Sequence, residues 1–170
     1  DPRFTNSITR LCDVGSTVII LTQSSTESGQ VEELLSQEAY AGAQLRVHAY
    51  SDVSLGFKQR TDPLDQNDWH LFVSLRFPTL PTAAAYQCMF SEYAEWIFEE
   101  EPTTRSWYAL RSSTHDTEFL FIGSWTSKVD GFSKKHRMSD NFLHFRSRLD
   151  TLGPSISGVS CFKFNPKIIL

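Results

Sequence analysis

Between residues 69 and 164 the spacing of apolar side chains switches from the two-residue repeat of a strand to the 3.6-residue repeat of a helix and back, twice over. Few architectures satisfy that alternation. Trp69 to Phe77 (WHLFVSLRF) is apolar and rich in strand formers, and the segment Pro78 to Pro81 stops it. Thr82 is placed to cap a helix running to about Glu99, with Tyr86, Met89, Phe90, Tyr93, Trp96 and Ile97 on one stripe. Pro102 ends it. Arg105 to Ser112 and Glu118 to Trp125 read as strands joined by a polar turn from Ser113 to Asp116. Lys128 to Leu149 reads as a second helix, broken near Met138 to Asp140, where Ser139 can cap a new start. Gly153 and Pro154 follow the helix end, and Ile156 to Phe164 is a fourth strand. The order βαββαβ defines an α+β, ferredoxin-like unit over residues 67–170. Its two helices share one sheet face. The first carries Glu92, Glu95, Glu99, Glu100 and Glu101, and the second Lys128, Lys134, Lys135, Arg137, Arg146 and Arg148, so their outer charges attract.

Residues 1–66 form an N-terminal strand-helix-strand extension. Thr17 to Leu21 reads as a strand, Ser28 to Tyr40 as a helix ended by Gly42, and Leu45 to Tyr50 as a second strand. Two readings of this part stay open: a truncated repeat of the larger unit, or an unrelated piece that covers its sheet. The polar join from Arg60 to Asp68 reads as a linker.

Composition narrows the function. Sixteen basic and twenty acidic residues leave a net charge of -4, with no clustered positive charge for nucleic acid. No apolar run approaches the ~20 residues of a membrane helix. Cys12, Cys88 and Cys161 are far apart and odd in number, which fits neither a disulfide framework nor a metal site. They read as reduced, mostly buried thiols of a cytoplasmic protein. No P-loop or dinucleotide glycine motif is present, so no cofactor is expected. Aromatic residues make up 13% of the chain against 21% charged, which points to a large core, an apolar cleft, or both.

Residues 70–150 resemble the antibiotic-biosynthesis monooxygenase family of the dimeric α/β-barrel superfamily. The features that carry the resemblance are the first strand, the helix ending at Glu101 and Pro102, and the strand Arg105 to Ser112. The third strand closing on Trp125 and the series His136, Ser139, Phe142, Phe145 in the second helix complete it. Thr103 stands where the family has Gly, Trp107 where a Tyr is common, and Gly123 where an acidic residue often precedes the Trp. Gly123 reads as room for a bulky ligand. The resemblance implies a homodimer packed sheet to sheet, or the same cover supplied by the first part of one chain. It also implies cofactor-independent oxygenation of a hydrophobic phenolic or polyketide-type substrate by molecular oxygen. Polyketide cyclisation on the same scaffold, and a non-catalytic binding module, stay open beside it. In haem-degrading relatives an iron-ligating His takes the position of Arg146 here, which argues against haem.

Deprotonated phenols and anthrones pass electrons to dioxygen, so such an enzyme needs an aromatic cleft, a base and groups that stabilise an anion. His136 is the leading base: Val129, Phe132 and His136 at i, i+3 and i+7 place it on the buried side of its helix. Against this stands a core histidine bonded to a carbonyl. Tyr108 and His144 are the other catalytic candidates, with His48, His70 and His115 behind them. Trp107, Trp125, Tyr93, Trp96, Phe132, Phe142 and Arg111 are the candidate substrate-binding residues, and Arg76 is a further anion contact. Trp107 and Tyr108 point to opposite faces, so only one of them lines a given cleft.

Overall fold

The computed structural model describes residues 10–14, 17–21, 50–57 and 68–161. Two sheets are present among them. Strands β1 (Arg10–Val14) and β2 (Thr17–Leu21) pair antiparallel. The larger sheet holds β3 (Tyr50–Phe57), β4 (Trp69–Arg76), β5 (Thr104–Ser112), β6 (Glu118–Trp125) and β7 (Ser155–Cys161) in the order β3-β5-β6-β4-β7. Every pair in it is antiparallel. Helix α1 (Leu80–Glu100) joins β4 to β5, and a helical segment ending in α2 (Asp140–Thr151) joins β6 to β7. Strands β4 to β7 with these two crossovers are the ferredoxin-like unit, and β3 adds a strand beside β5. The expected helix from Ser28 to Tyr40 and all but the last residue of the expected strand at Leu45 to Tyr50 lie outside the described residues, and a strand is described from Tyr50 to Phe57.

The N-cap of α1 is Thr79 rather than Thr82. Thr79 is extended and accepts from the Thr82 backbone N–H, while the Thr82 side chain answers the Thr79 N–H, a reciprocal capping box. Pro81 falls in the first turn, where its missing N–H costs nothing, so the helix starts before it. The second crossover is broken at Ser139 as expected, but its first part, Lys128–His136, is π-helical. Phe132 N–H donates to Ser127 O and Arg137 N–H to Phe132 O, the i→i+5 pattern. The wider turn means that i+3 no longer returns to the same face. Val129 is therefore 56% exposed while His136 is fully buried, and Phe132 meets His136 at i+4 instead. Cys88, expected among buried thiols, is exposed on α1.

Alternation in the strands sorts two faces. Trp69, Leu71, Val73 and Leu75 of β4, Trp107 and Ala109 of β5, and Phe119, Phe121 and Trp125 of β6 face the helices and build the core with Tyr86, Phe90, Tyr93, Phe145 and Leu149. The second face carries His70, Phe72, Ser106, Ile122 and Ser124, all buried within the single chain. Ser106 and Ser124 hydroxyls bond across it at 2.6 Å. The helices' outer charges meet at Arg148 Nη1 and Glu92 Oε2, 3.1 Å apart, an exposed pair of small worth.

Gly123 sits in register between Leu71 and Trp107 on the helix face. The room above it is not left for a ligand: a Cβ there would lie 2.5 Å from the Trp125 ring and 2.7 Å from the Phe121 ring. The glycine lets these two rings fold over the strand. Gly123→Ala is expected to destabilise the protein by about 1–3 kcal/mol through overpacking. Urea unfolding monitored by tryptophan fluorescence measures this, and a neutral result would mean the rings yield.

Candidate active site

The buried carboxylate of Glu101 anchors the site. It is the C-cap residue of α1, its N–H bonded to Ile97 O at 3.0 Å, and Pro102 turns the chain away behind it. Thr104 opens β5 three residues on, and its N–H returns to Glu101 O at 2.9 Å. Glu101 Oε2 accepts from Thr104 Oγ1 at 3.0 Å and from His136 Nδ1 at 2.8 Å. His136 closes the π-helical segment at 0% exposure, and Glu101 is 6% exposed. Ser139 holds His136 from behind: its hydroxyl donates to His136 O at 2.9 Å and accepts from Phe142 N–H at 3.1 Å. This explains the spacing of His136, Ser139 and Phe142 in the sequence. With Nδ1 turned to the carboxylate, Nε2 is the ring nitrogen left to meet a ligand.

His136 lines a cavity of about 100 Å³ between the sheet and the helices. Leu71, Val73, Leu75, Trp107, Phe121, Trp125 and Ile156 form its sheet side. Tyr86 and Phe90 of α1, Phe132 and His136 of the π-helical segment, and Phe142, Phe145, Arg146 and Leu149 of α2 form its helix side. The imidazole lies 4.7 Å from the Phe142 ring, 4.9 Å from Trp107, 5.2 Å from Trp125 and 5.8 Å from Phe132. Among the described residues, four buried polar atoms of this lining have no hydrogen-bond partner: His136 Nε2, Trp107 Nε1, Trp125 Nε1 and Tyr86 Oη. Buried polar atoms are ordinarily paired. Here one acceptor nitrogen and three potential donors share an aromatic wall, which suits a flat ligand bearing oxygen atoms.

The sequence-predicted residues divide clearly. His136, Trp107, Trp125, Phe132 and Phe142 come together around the cavity. Tyr93 is buried but stacks on Phe145 at 4.4 Å and on Trp96 at 5.6 Å, in the core behind the cavity wall. Tyr108 faces the opposite side of the sheet in register with Ile122, so it does not share the cavity with His136. His144 is exposed on α2. Arg111 stands near the β5–β6 turn, 3.9 Å from Asp116, away from the cavity. Arg76 pairs with Glu118 at 2.9 Å on the surface, and His115 lies exposed in the turn beside Thr114. His70 is buried on the second sheet face, and His48 lies outside the described residues. Sequence reasoning missed the part of Glu101 as partner of His136, because it ends a run of three glutamates that looks uniformly solvated. Only its position directly before Pro102 sets it apart.

No family model matches the sequence, and no curated protein matches it. Solved structures do. A provisionally named monooxygenase from Fusobacterium nucleatum superposes with a TM-score of 0.64 at 9% identity over 92% of this chain and 74% of its own. Another from Lactobacillus acidophilus gives 0.53 at 10% identity over 63% of this chain, which spans only 47% of that protein's length. A provisionally named antibiotic biosynthesis monooxygenase from Nitrosomonas europaea gives 0.52 at 17% identity over 61% of this chain and 97% of its own. The fold is therefore that of these proteins, as the residue pattern implied.

The tyrosines near the site have a distinct acid–base character. Burial pushes the Tyr86 phenol far above its ordinary range. Burial first, and then the Glu101 carboxylate, do the same to Tyr93, with Ser139 opposing weakly. Both stay neutral in the folded chain, whereas an unfolded phenol ionises near pH 10. Their contribution to stability is then complete below about pH 10 and is lost as pH rises beyond it, because only the unfolded chain releases the protons. The thermal unfolding midpoint should fall between about pH 10 and pH 12, and Tyr86→Phe should flatten that fall. A midpoint that stays level in the parent protein would contradict this assignment.

Proposed function

We propose that the protein is an enzyme that oxygenates a hydrophobic phenolic or anthrone-like substrate with molecular oxygen. The observation that carries the reading is His136 Nε2, unpartnered and buried in an aromatic cavity while Nδ1 is held by Glu101. A base so oriented can take a proton from an acidic ring position. The resulting anion is delocalised over the ring system, with the indole N–H groups of Trp107 and Trp125 as donors to its oxygen. The anion gives one electron to dioxygen, and the radical pair combines to a hydroperoxide. Loss of water leaves a carbonyl: a ring CH2 and O2 become C=O and H2O, with His136 returning its proton to the departing oxygen. The monooxygenase names of the structural neighbours support the same reaction class. A cavity of about 100 Å³ is smaller than the ~150 Å³ that holds a benzene. Admission therefore requires the half-buried rings of Phe132 and Phe142 to turn, with one ring of the substrate inserted and the rest at the mouth. The second sheet face is buried within one chain, so cover from the same chain in place of a homodimer packed sheet to sheet is carried as part of the proposal, and the mass in solution tests it.

Oxygen consumption on anthrone is the direct measurement. The parent protein is expected to consume one O2 per product and to form none under nitrogen. His136→Ala should lower turnover by about 10²-fold or more while still binding the ligand. Glu101→Gln should lower it about tenfold, since it keeps the position and loses the charge. Equal product formation without oxygen would replace this reading by a non-redox cyclisation or isomerisation on the same base. Full activity in His136→Ala would remove the site as assigned.

A further inference from the structure

We propose that Arg146 is a subsite for a carboxylate, so that the substrate is an aromatic acid held with its reacting ring at His136 and its carboxylate at the cavity mouth. This deepens the oxygenase reading and rests on the same cavity. Arg146 is the one side chain among the cavity-lining residues that carries a fixed charge. The cavity has a closed end and an open end: His136 is 0% exposed, whereas the Arg146 side chain is 47% exposed and Ile156, also in the lining, is 40% exposed. The two ends are set apart by helix geometry. Phe142 packs 4.7 Å from the imidazole, and Arg146 follows it by one turn of α2, ~6 Å further along the axis. A flat molecule of two fused rings spans that offset.

The guanidinium has capacity to spare. Its Nη2 meets Asp150 Oδ1 at 3.0 Å, but a guanidinium offers five N–H donors in a planar fork that matches a carboxylate. The Asp150 pair is exposed on both sides, so it holds the side chain in place loosely and yields to an incoming anion at little cost. An apolar wall with a single cation at its rim rejects a dianion and gives a neutral polycycle no anchor at the mouth. It selects a mono-anionic aromatic ligand and fixes which end enters first.

Calorimetric titration with 2-naphthoate and 2-naphthol, at low and at high salt, tests the subsite without any turnover. The parent protein is expected to bind 2-naphthoate more tightly, and salt should weaken that binding while leaving 2-naphthol unchanged. Arg146→Ala should weaken 2-naphthoate about tenfold and 2-naphthol less than about twofold. Arg146→Lys should fall between, and Asp150→Asn should tighten 2-naphthoate. Equal losses for both probes in Arg146→Ala, no preference in the parent protein, or no binding of either probe would each overturn the proposal. With both titrations run under nitrogen neither probe is oxygenated, so a failed oxygen-uptake assay would leave this result standing, and a failed subsite would leave the oxygenase reading standing.

Discussion

A carboxylate taken out of water must be paired, and Glu101 is paired twice over by groups from elsewhere in the chain. Its bonds to Thr104 and His136 tie together the end of α1, the start of β5 and the end of the π-helical segment. Burying a single charge without such partners would cost several kcal/mol. The pairing therefore constrains the path of three backbone segments at one point. It also fixes which imidazole nitrogen faces the cavity. Stability and the proposed chemistry depend on the same 2.8 Å contact.

The surroundings of that contact magnify it. The imidazole is ringed by Trp107, Trp125, Phe132 and Phe142, so little solvent competes for its free nitrogen. Weakly polar surroundings strengthen any hydrogen bond formed there and penalise any left unmade. The phenols of Tyr86 and Tyr93 are held neutral by the same environment. Both rings serve as packing surfaces of the core, and in the proposed reaction proton removal falls to the histidine.

Much of this was legible in the sequence, for identifiable reasons. Strands β4, β5 and β6 and helix α1 carry strong periodicities, so their limits fall within a few residues of expectation. Ser139 advertised its cap by residue type, and Trp107 was separated from Tyr108 by simple alternation. Other features left no such trace. The π-helical pattern has no apolar signature of its own, so Val129 was expected inside and lies outside. Thr79 and Thr82 are both good caps, and only the position of Pro81 within the first turn decides between them. Gly123 looked like empty space because the rings that fill it come from Phe121 and Trp125 on the same strand. The cavity's rim at Arg146 was hidden among the basic residues of a helix that appeared uniformly solvated.

The π-helical turn between Trp125 and His136 makes the count of residues there act as a vernier. A π-helical turn accommodates one residue more than an α-helical turn. Removing one residue from 128–136 while the wide pairing persists would rotate everything beyond the cut by roughly a quarter turn relative to the sheet. The imidazole would then swing off both Glu101 and the cavity, although every side chain of the site was still present. In this chain the length of that one segment thus constrains the site as closely as the identity of the histidine. Two chains that share all the aromatic residues but differ there by a single insertion would present different chemistry from the same scaffold.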